Sequence, residues 1–252
     1  MLLRQLIYYP TFGFTYVLAD PEFREGILID PVKARMRDYV QLFNELGLTL
    51  TASVDTHTHD DRESAHDDLR TLWNCDTVIG APNDPGTYTR IVQHGDTINI
   101  GMQTLYVIHT PGHTMDSYCF YIEGPDGPML FTGDTLLVRT VGLSNQDTSN
   151  LKHHFHSLHY VLSELPEETI VYPGRDFKGW PMSTLREERA FNPYLLVYGL
   201  EEFLAVKAMQ QPADINPQVM EQPQEPEELV FDDDEPEKDD IVEASSRLPS
   251  WR

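Results

Sequence analysis

Cysteine is scarce in this 252-residue chain, which has only Cys75 and Cys119. Two thiols cannot build a disulfide framework, so a reducing compartment, the cytoplasm, is the expected setting. Long apolar runs are missing as well. No stretch of about 18 apolar residues occurs, and no membrane-spanning helix is expected. Met1 to Tyr9 reads as a strand rather than a secretory leader. Basic residues are few: 18 Lys and Arg stand against 41 Asp and Glu, a formal net charge of -23. Such a surface repels a phosphate backbone, which argues against nucleic acid as a partner. No internal repeat is visible.

The chain does hold enough apolar residues, 40% of the total, for one large core. Its acidity is uneven. Residues 212–252 carry 13 Asp and Glu against three Lys and Arg, a net charge of -10. With runs such as Gln222 to Glu228 and Asp232 to Asp240, this tail is too polar and self-repelling to collapse. The expectation is a folded body over 1–211 and an acidic disordered tail over 212–252. Within the tail, the apolar island Leu229-Val230-Phe231 is a candidate docking point, and a basic protein is the partner such a tail would suit. A purely solubilising tail is the plainer reading.

Alternating apolar patterns bounded by Pro and Gly predict strands over Leu3–Tyr8, Gly13–Leu18, Gly26–Pro31, Leu48–Val54 and Thr77–Gly80. A second batch covers Asp96–Ile100, Gln103–His109, Ser117–Ile122, Met129–Phe131 and Ile170–Tyr172. Helical spacing predicts helices over Met36–Leu46, with Gly47 as the stop, and over Asp67–Trp73, Lys152–Leu165, Leu185–Ala190 and Leu200–Met209. Two batches of strands, each closed by helices, suggest two sheets clad in helices rather than a doubly wound sheet.

Four polar motifs stand directly after predicted strands: His57-Thr58-His59-Asp60-Asp61-Arg62, Thr110-Pro111-Gly112-His113-Thr114, Phe131-Thr132-Gly133-Asp134 and Tyr172-Pro173-Gly174-Arg175-Asp176. Alternating His residues at a strand end can aim imidazoles and a carboxylate into one space. A lone HxH or Gly-Asp would say little; four such strand ends in this order say much more. The bland alternatives are core histidines with satisfied nitrogens and an aspartate that caps a turn.

In these motifs the chain resembles the metallo-β-lactamase superfamily, and within it the persulfide dioxygenase branch. Further likenesses include Ile29-Asp30-Pro31, Arg139, Phe155 to His159, Ser183-Thr184 and Glu187 to Pro193. The resemblance spans roughly residues 2–207 and implies an αββα four-layer sandwich. It implies a single metal ion on His57, His113 and Asp134, Fe(II) at one per chain, with zinc as the alternative. Two imidazoles and one carboxylate leave positions open for dioxygen and substrate, as in non-haem Fe(II) oxygenases. His59 and Asp61 are the catalytic candidates beside it. Arg62, Arg139 and Arg175 are the candidates for an anionic thiol or persulfide substrate. His156 and His159 match helix positions of the family and are expected to take a surface or packing role rather than ligate.

Departures from the family pattern are informative. The His that follows the aspartate in HxHxDH is Arg62 here, and the late His is Arg175. A guanidinium stays charged and cannot donate a lone pair to a metal. The second metal position of two-metal hydrolases is therefore expected to be lost. The family's Gly-Arg-Thr-Asp segment is replaced by Gly142-Leu143-Ser144-Asn145. Three functions are weighed: an iron dioxygenase converting glutathione persulfide to sulfite, a one-metal thioester hydrolase of the hydroxyacylglutathione type, and a non-catalytic metal-binding protein with an interaction tail. A homodimer is compatible with all three.

Overall fold

The computed structural model describes residues 1–80, 88–143 and 148–210. The boundary at 211/212, the acidic tail with its Leu229–Phe231 island, and Ser144 and Asn145 lie outside them.

The first sheet runs in the order β1 (Leu2–Tyr8), β2 (Gly13–Asp20), β3 (Glu25–Ile29), β4 (Thr49–Val54), β5 (Asp76–Gly80) and β6 (Arg90–Val92). Its first three strands pair antiparallel and the rest parallel. The crossovers contain α1 (Met36–Leu46) and α2 (His66–Trp73). The second sheet is built from β7 (Thr97–Ile100), β8 (Gln103–His109), β9 (Tyr118–Gly124), β10 (Gly127–Gly133), β11 (Ile170–Pro173) and β12 (Ser183–Thr184). There only β10 and β11 run parallel; the other neighbours are antiparallel. α3 (Thr148–His156), α4 (Leu185–Phe191) and α5 (Leu200–Met209) complete the described helices.

Period-two alternation explains the layering, because successive side chains of a strand face opposite sides. Phe14, Tyr16 and Leu18 of β2 join Phe120 and Ile122 of β9 in the core between the sheets. The intervening Val17 and Ala19 meet Tyr39 and Phe43 of α1 and Leu69 of α2. Cys119 and Tyr121 face the other way, towards Phe155, Leu185 and Phe203 of the second helical layer. Both faces of each sheet are thus covered, giving the expected four layers. The two cysteines are buried and unpaired, in opposite outer layers.

Several boundaries moved. The three-residue β6 and two-residue β12 were not expected, since so few residues show no periodicity. The helix expected over Lys152–Leu165 starts earlier, at Thr148, and loosens through a π turn (Ser157–Val161) and a 3-10 turn (Leu162–Glu164). β3 to β5 do alternate with helices and pair parallel, so the first sheet has more strand-helix alternation than two batches closed by helices would suggest. α1 keeps the expected bounds, and Gly47 caps it in the left-handed region at φ 62°. No described helix is long and apolar enough to cross a membrane.

Candidate metal centre

Each expected ligand stands just beyond a strand of one sheet or the other, where the sandwich brings strand ends together. His57 follows β4, His113 follows β8 and Asp134 follows β10. One ligand atom from each lies within 4.8 Å of the others. His113 Nε2 is 3.5 Å from Asp134 Oδ2, and the His57 and His113 rings stand perpendicular with centroids 4.8 Å apart. Gly142 allows this closeness: a Cβ there would sit 2.3 Å from the Asp134 carbonyl oxygen and 2.9 Å from His113 Nδ1.

Hydrogen bonds select which nitrogen each imidazole offers. Thr56 Oγ1 gives its proton to Asp30 Oδ2 (2.9 Å), so it can only accept from His57 Nδ1–H, also at 2.9 Å. That leaves the lone pair on His57 Nε2. The Leu143 carbonyl accepts from His113 Nδ1, which likewise leaves Nε2 to face Asp134. Such outer partners fix the tautomer and aim of metal-binding imidazoles. Asp30 is itself held by the Thr56 backbone N–H at 2.7 Å. Burial would raise its carboxyl, but His59 and Arg62 outweigh that and keep it ionised.

Charge states suit a metal. Burial, then the neighbouring His59, push His57 well below the ordinary imidazole value, so it is neutral. Burial alone would raise Asp134; Arg175 outweighs it and holds the carboxyl far below the usual carboxylate range. A neutral imidazole and an ionised carboxylate are what a divalent cation binds. His59 Nδ1, buried and without a hydrogen-bond partner, lies one ring away from His57, with centroids 4.1 Å apart. The donor set therefore fits one metal ion of the Fe(II) or zinc type.

Arg175 ties two carboxylates together beside the ligand candidates. Its Nε donates to Asp134 Oδ2 at 2.7 Å and its Nη1 to Asp61 Oδ2 at 2.5 Å. A guanidinium thus bridges Asp134 and Asp61. Asp61 is in turn depressed by Arg175 against the opposing effect of burial. Arg62 points elsewhere. Its side chain is 2% exposed, with Nη2 3.2 Å from His59 Nε2 and 3.8 Å from Asp30 Oδ2. Arg139 is turned to α4, where Glu187 and the buried Glu188 receive it. It also lies over the rings of Trp180 and Phe191. Of the three arginines expected at a substrate, Arg175 is the one that touches a ligand candidate. His159 packs by donating to the Tyr194 carbonyl at 3.0 Å.

Two partners of the centre are not conspicuous in the sequence. Asp30 belongs to a motif of the family likeness, but its role as the anchor of Thr56 needed coordinates. The Leu143 carbonyl is backbone, and no side-chain pattern reports it.

The metallo-beta-lactamase superfamily model matches residues 8–175. The chain belongs to that superfamily. It is 37% identical over 207 residues to the human mitochondrial persulfide dioxygenase ETHE1, covering 82% of this chain and 80% of that one. The crystal structure of ETHE1 from Myxococcus xanthus superposes with a TM-score of 0.78 at 35% identity, over 86% of this chain and 94% of that one. TTHA1623, solved in a di-iron-bound form, is more distant: TM-score 0.62, 27% identity, 77% of this chain and all of that one. These likenesses agree with the fold and branch expected from the motifs.

Proposed function

We propose that the chain is a mononuclear Fe(II) dioxygenase that oxidises glutathione persulfide, or a related sulfur compound, to sulfite in the cytoplasm. One observation carries this reading: two imidazoles and one ionised carboxylate converge, while Arg175 bridges that carboxylate to Asp61. The similarity to named persulfide dioxygenases supports the substrate class, and the iron-bound TTHA1623 supports iron as the metal.

The reaction balances as persulfide, dioxygen and water giving thiol, sulfite and two protons. The two persulfide sulfurs together lose four electrons, and dioxygen gains them. Iron, when bound, supplies the redox centre at which sulfur and dioxygen meet. The chain's own residues do the positioning. Asp30 and Thr56 orient His57, and the Leu143 carbonyl orients His113. We assign Arg175 to face the anionic sulfur, with its guanidinium aimed by its hydrogen bonds to Asp134 and Asp61. His59 and Asp61 flank the site and are the groups proposed to handle the water and protons.

The test is oxygen uptake and sulfite formation by full-length protein loaded anaerobically with Fe(II) and given glutathione persulfide. H113A should lose both. Iron-bound protein that takes up no oxygen would sink the reading. Zinc-bound protein that cleaves thioesters without oxygen would replace it with the hydrolase.

A further inference from the structure

Lys207 sits on α5, almost fully buried, a costly place for an ammonium group. Among the described residues no carboxylate pairs with it. Nζ instead donates to the Gly142 carbonyl at 2.6 Å and to Gln210 Oε1 at 2.9 Å, and stands 5.7 Å from the Tyr194 ring centroid. Gln210 completes the grip by donating from Nε2 to the Val141 carbonyl at 2.8 Å.

The gripped segment, Val141 to Leu143, is the one that holds two ligand candidates from the other side. Gly142 N donates to the Asp134 carbonyl at 2.8 Å, and the Leu143 carbonyl receives His113 Nδ1. One short piece of backbone thus lies between α5 and the metal centre. Its inner face sets the aim of His113 and Asp134, and its outer face is tied to Lys207 and Gln210. We infer that Lys207, assisted by Gln210, is a positioning residue for the metal centre, acting through Gly142 and Leu143. Burial pushes the amine down to about 7, but both its charged and neutral forms carry the proton that Gly142 accepts.

This inference rests on the proposed metal centre, not on iron or on dioxygenase turnover. The experiment is Co(II) titration of full-length, metal-free protein, reading the visible absorption band and the affinity by chelator competition. K207M keeps the unbranched side chain up to the ε position and removes both the donor and the buried charge. Its metal-free melting temperature is expected to stay level or rise, while Co(II) affinity falls about tenfold and the band shifts. Q210M, at the half-buried end of the helix, should show a smaller loss in the same direction. Wild-type affinity and spectrum in K207M would overturn the role of Lys207. So would a loss of affinity accompanied by an equal loss of metal-free stability, the mark of a merely structural lysine. If K207M does not fold, unchanged Co(II) binding by Q210M overturns the inference. Wild-type protein that binds no Co(II) would instead overturn the centre itself.

Discussion

Replacing Arg175 with Gln strikes the centre where its charges meet. In the metal-free protein, R175Q leaves Asp134 buried with no guanidinium, and Asp61 loses the same partner. A pair of unit charges about 4 Å apart is worth about 4 kcal/mol at an effective dielectric of about 20. Removing one partner of a buried pair costs about 3–5 kcal/mol. Asp61 is partly exposed and adds little, so about 3 kcal/mol is the reasonable figure. For a body of this size each kcal/mol moves the melting temperature by about 2–4 °C, which predicts a fall of about 6–12 °C.

The pH dependence of that fall has a definite sign. In wild type, Asp134 lies below its unfolded value of about 3.9, so its stabilisation is present above that pH and is lost only in stronger acid. Without Arg175, burial lifts Asp134, and protonation then relieves the strain as the pH falls through the raised value. The gap between variant and wild type should therefore narrow from pH 7.5 to pH 5. A saturating divalent metal should also narrow it, because the cation replaces the guanidinium as the counter-charge of Asp134 and so stabilises R175Q more than wild type. Differential scanning calorimetry with and without chelator measures all three effects. A metal-free R175Q that melts within about 2 °C of wild type, or a gap that widens in acid, would refute the bridging role.

Two other substitutions probe the supports around the centre. T56V removes the hydroxyl between Asp30 and His57; metal affinity should weaken about 10–100-fold and stability by about 1–3 kcal/mol, and unaltered chelator competition would dismiss the relay. Among the described residues, R139M leaves the fully buried Glu188 with Asn192 Nδ2 and the backbone N–H of residue 139. It should cost about 3 kcal/mol of stability while leaving metal affinity intact. A raised KM for persulfide with an unchanged melting temperature would instead place Arg139 at the substrate.

Much of the architecture was legible because burial leaves a periodic mark on the longer strands. Phe14-Thr15-Tyr16-Val17-Leu18 reads as a strand from its neighbours alone. The helical spacing of Met36 to Leu46, with Gly47 behind it, marked both ends of α1. The ligand candidates were legible for a different reason. Metal binding demands particular residue types at the open ends of strands, and three of the four strand-end motifs supply them.

Local sequence determined that the chain forms strands and helices in this order, and which residue types stand at the strand ends. The partners of those residues were settled only when the chain closed. Arg175 finds Asp61 across 114 positions and Asp134 across 41, whereas Arg62 and Arg139 were drawn to Asp30 and Glu188. A guanidinium carries the same charge at all three positions. Its role depends on which carboxylate the folded backbone brings within a few ångströms, because electrostatic attraction acts on distance in space and not along the chain. The same holds for Lys207 and the backbone carbonyl of Gly142, 65 positions away, a contact that no pattern of side chains encodes.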